Sequence, residues 1–222
     1  MAPAATLSKT QSSRSGGSFD QPISLQVSYL CQRDSVTAEG PRMCFSSTCA
    51  MAAAYLKPGC LVGAGQLDDH YLALLQRHGD TTDAAAQIRT LRSLGIQAEL
   101  RTDGRIEQLI AQLRLGIPVP VGRLHKGPVN APSGGGHWSL VVGWVPTRRA
   151  VLIHDPNGEA DLVGGGYVST AIGSGRNRWY SEQNWGRRWM VEGGWIRLVA
   201  GVGGVSHNQP HVIRSSSSAA SA

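Results

Sequence analysis

The spacing of apolar residues changes character at one point in this chain, and that change limits the folds open to it. Before about residue 117 the apolar positions mostly recur at helical spacing; after it they run or alternate as strands do. Val119, Val121, residues 138–145, residues 150–155 and residues 193–199 are strand-like and separated by turns. Helices first and an antiparallel β portion second predict an α+β chain with two lobes and a cleft between them. A length of 222 residues suits one domain with tails. Residues 1–20 and 201–222 are rich in small and polar residues with little to bury, so they read as disordered arms around a folded unit at 21–200.

Within the first half, residues 23–30 alternate as a short strand. Residues 44–56 form an Ala-rich helix that begins at a cysteine and is buried over much of its circumference. Residues 67–79 predict a second helix closed by a glycine. The next begins with Asp80 as N-cap and Asp83 at the capping-box position, with Ile88, Leu91 and Leu94 as its apolar stripe. A fourth places Ile106, Leu109, Ile110 and Leu113 on one face, and residues 96–100 form a strand between these last two.

Charge and cysteine usage exclude several classes. The formal charge of +6 and pI near 9.5 favour polyanionic surroundings. No run of five or six like charges occurs, so a specific nucleic-acid role is not expected. The four cysteines, at 31, 44, 49 and 60, include no C-x-x-C and are too few for a disulfide scaffold. They also lack a second tight His or Cys pair for zinc, so no metal and no cofactor is expected. No segment has the roughly 18 apolar residues a membrane span needs, and the N-terminus has no apolar core for a signal peptide. The expected location is the cytoplasm as synthesised. Serine-hydrolase, zinc-peptidase and P-loop motifs are absent.

One constellation remains. Cys44 stands at the first position of a buried helix, where unpaired amides and the helix dipole favour a thiolate. Cys49, a turn and a half further on, reads as a small core residue. A thiolate nucleophile needs a base, and the base an orienting group. His137 follows Gly134, Gly135 and Gly136 and opens a strand; Asp155 ends the next strand before a Pro-Asn-Gly turn. Two neighbouring strands joined by a short turn would hold these side chains at one edge, with the glycines admitting a substrate backbone. Gln32, upstream on a loop, can supply an oxyanion donor. His154 points to the other face, His125 is a loop residue, and the acidic cluster around Gly158 is a hairpin turn rather than a calcium loop. Trp138, Trp179, Trp185 and Trp189 suit either a substrate groove or the core.

The segments "YLCQRDS…MCFSSTCAMAAAYL", "GIPVPVGRLHKGP…SGGGHWSLVVGW" and "VLIHDPNGEADLVGGGY" resemble the papain-like cysteine peptidases. The branch they are most similar to is that of the double-glycine leader peptidases of bacteriocin exporters. The resemblance spans residues 26–198. It implies Cys44 as nucleophile, His137 as general base and acid, Asp155 as orienter and Gln32 as oxyanion-hole residue. Gly135, Gly136 and Trp138, next to His137 in the chain, are the candidate substrate-binding residues. The family usually has glycine after the cysteine, where this chain has Phe45, and the loop from Gln32 to Cys44 is longer than usual. The exporter's membrane and ATPase parts are absent from this sequence. Stand-alone relatives act on proteins or on the peptides of wall polymers, and some are encoded by phages. The expectation is therefore a cysteine peptidase of protein or peptidoglycan peptides, virion-associated if phage-encoded. The alternative from another class is a non-catalytic binding or virion structural protein on the same scaffold, attached to a larger assembly through its arms. Acyl transfer on the same triad differs only in the acceptor.

Overall fold

A computed structural model describes residues 21–199; the two expected arms lie outside the described residues. Strand β1 (Ile23–Ser24) leads through two 3-10 turns, Gln32–Asp34 and Gly40–Arg42, into helices α1 (Cys44–Leu56), α2 (Leu67–Leu75) and α3 (Ala84–Ser93). Strand β2 (Gln97–Arg101) and helix α4 (Ile106–Arg114) come before the main strands β3 (Val119–Lys126), β4 (Ser133–Val145) and β5 (Ala150–His154). A small ribbon, β6 (Glu159–Ala160) with β7 (Tyr167–Ser169), is followed by β8 (Arg178–Ser181), α5 (Glu182–Trp189) and β9 (Trp195–Val199). The fold is α+β, as the change in period predicts. The main sheet is antiparallel, in the order β2-β9-β3-β4-β5-β8, and β1 adds to β4. Among the described residues no helix is long and apolar enough to cross a membrane.

Two registers position everything that follows. In the β3–β4 pair Arg123 lies opposite His137, so both side chains leave the same face of the sheet. In the β4–β5 hairpin Leu140 lies opposite His154, which places Asp155 just beyond the ladder on the side of His137. The hairpin turns through Pro146–Arg148, and Arg149 closes it in the left-handed region at φ 42°.

Helix α1 is buried on nearly every side, with Phe45 through Ala53 all in the core. Such a helix has no amphipathic stripe to set its rotation about its axis. Its polar side chains do so instead. Ser46 Oγ pairs with Thr81 Oγ1 at 2.5 Å and accepts from Gln87 Nε2 at 3.1 Å, while Ser47 Oγ donates to Asp68 Oδ2 at 2.7 Å. A buried network that satisfies several partners at once admits one arrangement. Against the sheet, the Phe45 ring lies flat on Trp138, with centroids 3.6 Å apart and planes inclined by 4°. Gly122 lies across the strand pair from Trp138, and a Cβ there would approach the indole to 3.1 Å.

Some local expectations are corrected. Only Ile23–Ser24 of the strand expected at 23–30 joins the sheet. Further along that segment, the Val27 carbonyl bonds the His154 side chain instead of a neighbouring strand. Asp83, not Asp80, caps α3, its carboxylate accepting from the Ala85 N–H at 2.8 Å. Asp80 is engaged by Thr82 and by the Arg42 guanidinium. Trp185 and Trp189 stack on each other in the core, 4.9 Å between centroids, whereas Trp179 is 42% exposed on β8.

The Phe45–Trp138 stack joins the helical half to the sheet. Replacing Phe45 by Ala is expected to lower unfolding free energy by about 3 kcal/mol or more, since the ring is buried and its space is lined by rigid elements. Urea denaturation checks this; a loss below about 1 kcal/mol would mean that the two halves are held elsewhere.

Candidate active site

Cys44 is the first residue of α1, and no side chain caps that helix, so its leading N–H groups remain unclaimed around the thiol. The His137 imidazole and the Trp138 backbone N–H lie near enough to the Cys44 sulfur to favour its thiolate form. His137 Nε2–H donates to Asp155 Oδ1 at 2.8 Å. Cys44 is partly open to solvent, while His137 is 6% exposed and Asp155 is fully buried. The three residues expected to converge do so.

Their electrostatics reinforce one another. Burial pushes the Cys44 thiol up, but the His137 charge, its hydrogen bond and the Trp138 N–H outweigh burial and hold the thiol below its ordinary value. Burial pulls His137 down, yet the charges and hydrogen bonds of Asp155 and Cys44 overcome that and lift it to about 9. For Asp155 burial also acts upward, and His137 first, then Arg123 and the Asn157 N–H, keep it below the usual carboxylate range. A thiolate beside an imidazolium is the favoured state through neutral pH.

Asp155 is tied at every polar atom. Oδ1 also accepts from the Asn157 N–H at 3.0 Å, and Oδ2 accepts from Arg123 Nη2 at 2.5 Å. Its backbone N–H donates to the Gly175 carbonyl at 3.0 Å and its carbonyl accepts from the Tyr29 hydroxyl at 2.9 Å. Gly175 is required by this close approach, because a Cβ there would collide with the Asp155 carbonyl.

Gln32 lies in the 3-10 turn before the long loop and is buried. Its backbone N–H donates to the Pro156 carbonyl at 2.9 Å, next to Asp155, and its side-chain Nε2 donates to the Gly40 carbonyl at 3.0 Å. The lengthened loop therefore folds back on Gln32 and uses one of its two amide hydrogens.

The glycines differ from the expectation. Gly134, Gly135 and Gly136 are not a loop before the strand but part of it, since β4 begins at Ser133 and pairs with β3 from there. His137 is thus inside the ladder rather than at its start, with Gly136 paired to Leu124 and the register broken at Gly134 and Gly135 before pairing resumes at Ser133. Space is left all the same: a Cβ at Gly135 would have no atom within 4 Å, and one at Gly136 only Glu192 Oε2, at 3.9 Å. Trp138 packs on Phe45 and is half-buried. His125 belongs to β3, not to a loop; its Nδ1 bonds the Gly135 carbonyl at 2.8 Å, with its ring 5.9 Å from that of His137. Burial holds His125 below the usual histidine range. His154 is structural, as expected, bonding the Val27 carbonyl and the Asn177 N–H.

Two neighbours escaped the sequence reading. Tyr167 on β7 presents its ring edge-on to His137, 5.7 Å between centroids at 84°. It is brought there by a loop that Arg188 of α5 holds, through Nε to the Leu162 carbonyl at 2.9 Å and Nη2 to the Gly127 carbonyl at 2.7 Å. Nothing in the local pattern announces that crossing. Arg123 did leave a sign: it shares the strand parity of the buried Val119 and Val121, and a cation on a buried face requires a buried partner.

No family model matches the sequence, and no curated protein does. Solved structures do match. A protein of Bacillus anthracis described as a C39-like peptidase superposes with a TM-score of 0.55 at 14% identity, over 81% of this chain and 98% of that one. The peptidase domain of Streptococcus ComA, a bifunctional transporter of a quorum-sensing pathway, gives 0.45 at 16% identity, over 71% and 91%. A double-glycine-motif protease from an AMS/PCAT transporter, in complex with the leader peptide, gives 0.47 at 15% identity, over 80% and 96%. The chain has the α+β fold of a C39-like, papain-like peptidase.

Proposed function

We propose that this protein is a cysteine peptidase that hydrolyses peptide-like amide bonds through Cys44, His137 and Asp155. The observation that carries the reading is the convergence of the three from separate elements: a thiol at an uncapped helix start, an imidazole beside it, and a buried carboxylate 2.8 Å from the imidazole's Nε2. Such an order of nucleophile, base and orienter is what acyl transfer to a thiol requires.

The Cys44 thiolate attacks the carbonyl carbon, and the oxyanion that forms is held by the Cys44 backbone N–H and the second amide hydrogen of Gln32. The His137 imidazolium gives its proton to the departing amine, and Cys44 keeps the acyl group as a thioester. His137, now neutral, takes a proton from water as it attacks the thioester; the acid leaves and the ion pair is restored. Asp155 keeps the imidazole oriented and compensates its charge. Peptides of proteins or of peptidoglycan are the substrate class, supported by the open strand at Gly135 and Gly136 and by the basic charge, which suits an anionic wall matrix. A phage-encoded, virion-associated enzyme is one setting for that substrate. Phe45, the departure that would favour a binding scaffold, is absorbed by its stack on Trp138 and leaves Cys44 in contact with His137.

Incubation with casein and with purified peptidoglycan is expected to release new amino termini from one of them. Cys44→Ala should lower that release by at least about a thousandfold while the protein remains folded; retained turnover in this variant refutes the assignment. Iodoacetamide should alkylate wild-type Cys44 at pH values well below the ~8.5 of a free thiol, and His137→Ala should move the reaction back to the ordinary range or above. The rate of hydrolysis should follow a bell. Its acid limb marks protonation of the Cys44 thiolate, and its alkaline limb falls near pH 9, where His137 loses the proton it must donate. A rate that still climbs beyond pH 10 would contradict this.

A further inference from the structure

We propose that Arg123 is a positioning residue for this reaction: by holding one oxygen of Asp155 it reserves the other for His137, and by sharing the carboxylate's charge it leaves His137 able to release its proton. The inference rests on the cysteine-peptidase reading. Arg123 is 1% exposed, among the largest fully buried side chains, and its Nη2 lies 2.5 Å from Asp155 Oδ2. A guanidinium cannot shed its charge in a protein, so burying one demands an anion. Asp155 is the only carboxylate paired with it among the described residues.

The geometry divides the carboxylate's work. Oδ1 receives His137 Nε2 and the Asn157 N–H; Oδ2 receives Arg123. Arg123 and His137 stand opposite each other in the β3–β4 ladder, so the two donors are spaced by the sheet itself and not by flexible loops. Without Arg123, Oδ2 would be a buried acceptor with no donor, and the carboxylate could turn to offer either oxygen to the imidazole. Its undivided charge would also bind the His137 proton more tightly. That proton must go to the leaving amine, and an acid held too strongly is a poor donor.

The groups around His137 come from each neighbouring element: Cys44 from α1, Asp155 after β5, Arg123 and His125 from β3, and Tyr167 from β7. Of these Arg123 is the permanent cation. His125 is held toward its neutral form, and burial keeps the Tyr167 phenol protonated. Removing the one fixed positive charge therefore has a definite sign: His137 should hold its proton to higher pH.

The test uses the full chain with carbon-13 in its histidine rings, following the His137 Cε1–H resonance against pH in wild type, Arg123→Met and Arg123→Lys. Arg123→Met is expected to raise the His137 midpoint by about half a unit or more, roughly threefold in proton affinity, and to lower kcat about tenfold with a smaller change in KM. Arg123→Lys, which keeps the charge, should return the midpoint to within about 0.2 units of wild type. An unmoved midpoint in folded Arg123→Met, with only a lower Tm, overturns the proposal and leaves Arg123 a structural residue. Should that variant not fold, the wild-type Arg123 guanidinium resonances decide: they must shift at the His137 midpoint, and indifference to it overturns the proposal equally. Failure of the underlying peptidase reading looks different. It would appear in the wild type, as a His137 midpoint near 6.5 together with an ordinary Cys44 thiol, whereas failure of the Arg123 inference leaves those wild-type values displaced.

Discussion

The fold of this protein turns on one buried carboxylate. Taking Asp155 out of water costs several kcal/mol, and the cost is met only because His137, Arg123 and the Asn157 N–H all donate to it. Each donor belongs to a different stretch of backbone, so satisfying the carboxylate brings β3, β4 and the turn after β5 into one arrangement. The backbone of the same residue adds two more ties, to Gly175 and to the Tyr29 hydroxyl, and its neighbour Pro156 receives the Gln32 N–H. Asp155 is therefore a structural crosslink as well as the hydrogen-bond partner of His137. That economy also explains why the surrounding loops are short of freedom: Gly175 has no room for a side chain.

The thiol reaches this carboxylate's partner from the other half of the molecule. Helix α1 is apolar enough to be buried all round, which by itself would leave its rotation undetermined. Ser46 and Ser47 resolve that through Thr81, Gln87 and Asp68, and Phe45 resolves it against Trp138. Consecutive residues thus divide the task. Phe45 and the serines fix the helix, and Cys44, one step earlier at the uncapped end, is left to meet His137.

Most of the site was legible in the sequence because its members sit at ends of regular elements. Cys44 begins a helix, and Asp155 follows a strand, so local pattern placed both before any contact was known. His137 was singled out for a partly mistaken reason: the three glycines before it looked like a loop, whereas they belong to β4, with Gly136 in register opposite Leu124 and a bulge at Gly134 and Gly135. Glycine's weak strand preference misleads there, since pairing with β3 outweighs it. The same kind of override moved the α3 cap from Asp80 to Asp83, where the choice between two acidic residues depended on Arg42 and Thr82 engaging the first. His125 was misread as a loop residue because the ladder runs past the last apolar position of β3.

The sequence by itself determined the order of most elements and the class of fold, and it singled out Cys44, His137 and Asp155 as candidates, because periodicity and end-positions are local properties. Only the tertiary structure decided that Arg123 shares Asp155, that Tyr167 crosses to the face of His137, and that Gln32 spends one amide hydrogen on Gly40. These depend on strand register, on the path of a loop held by Arg188, and on how a lengthened turn closes. Each is a contact between residues far apart or irregularly joined, and no periodic pattern in the chain encodes such a distance.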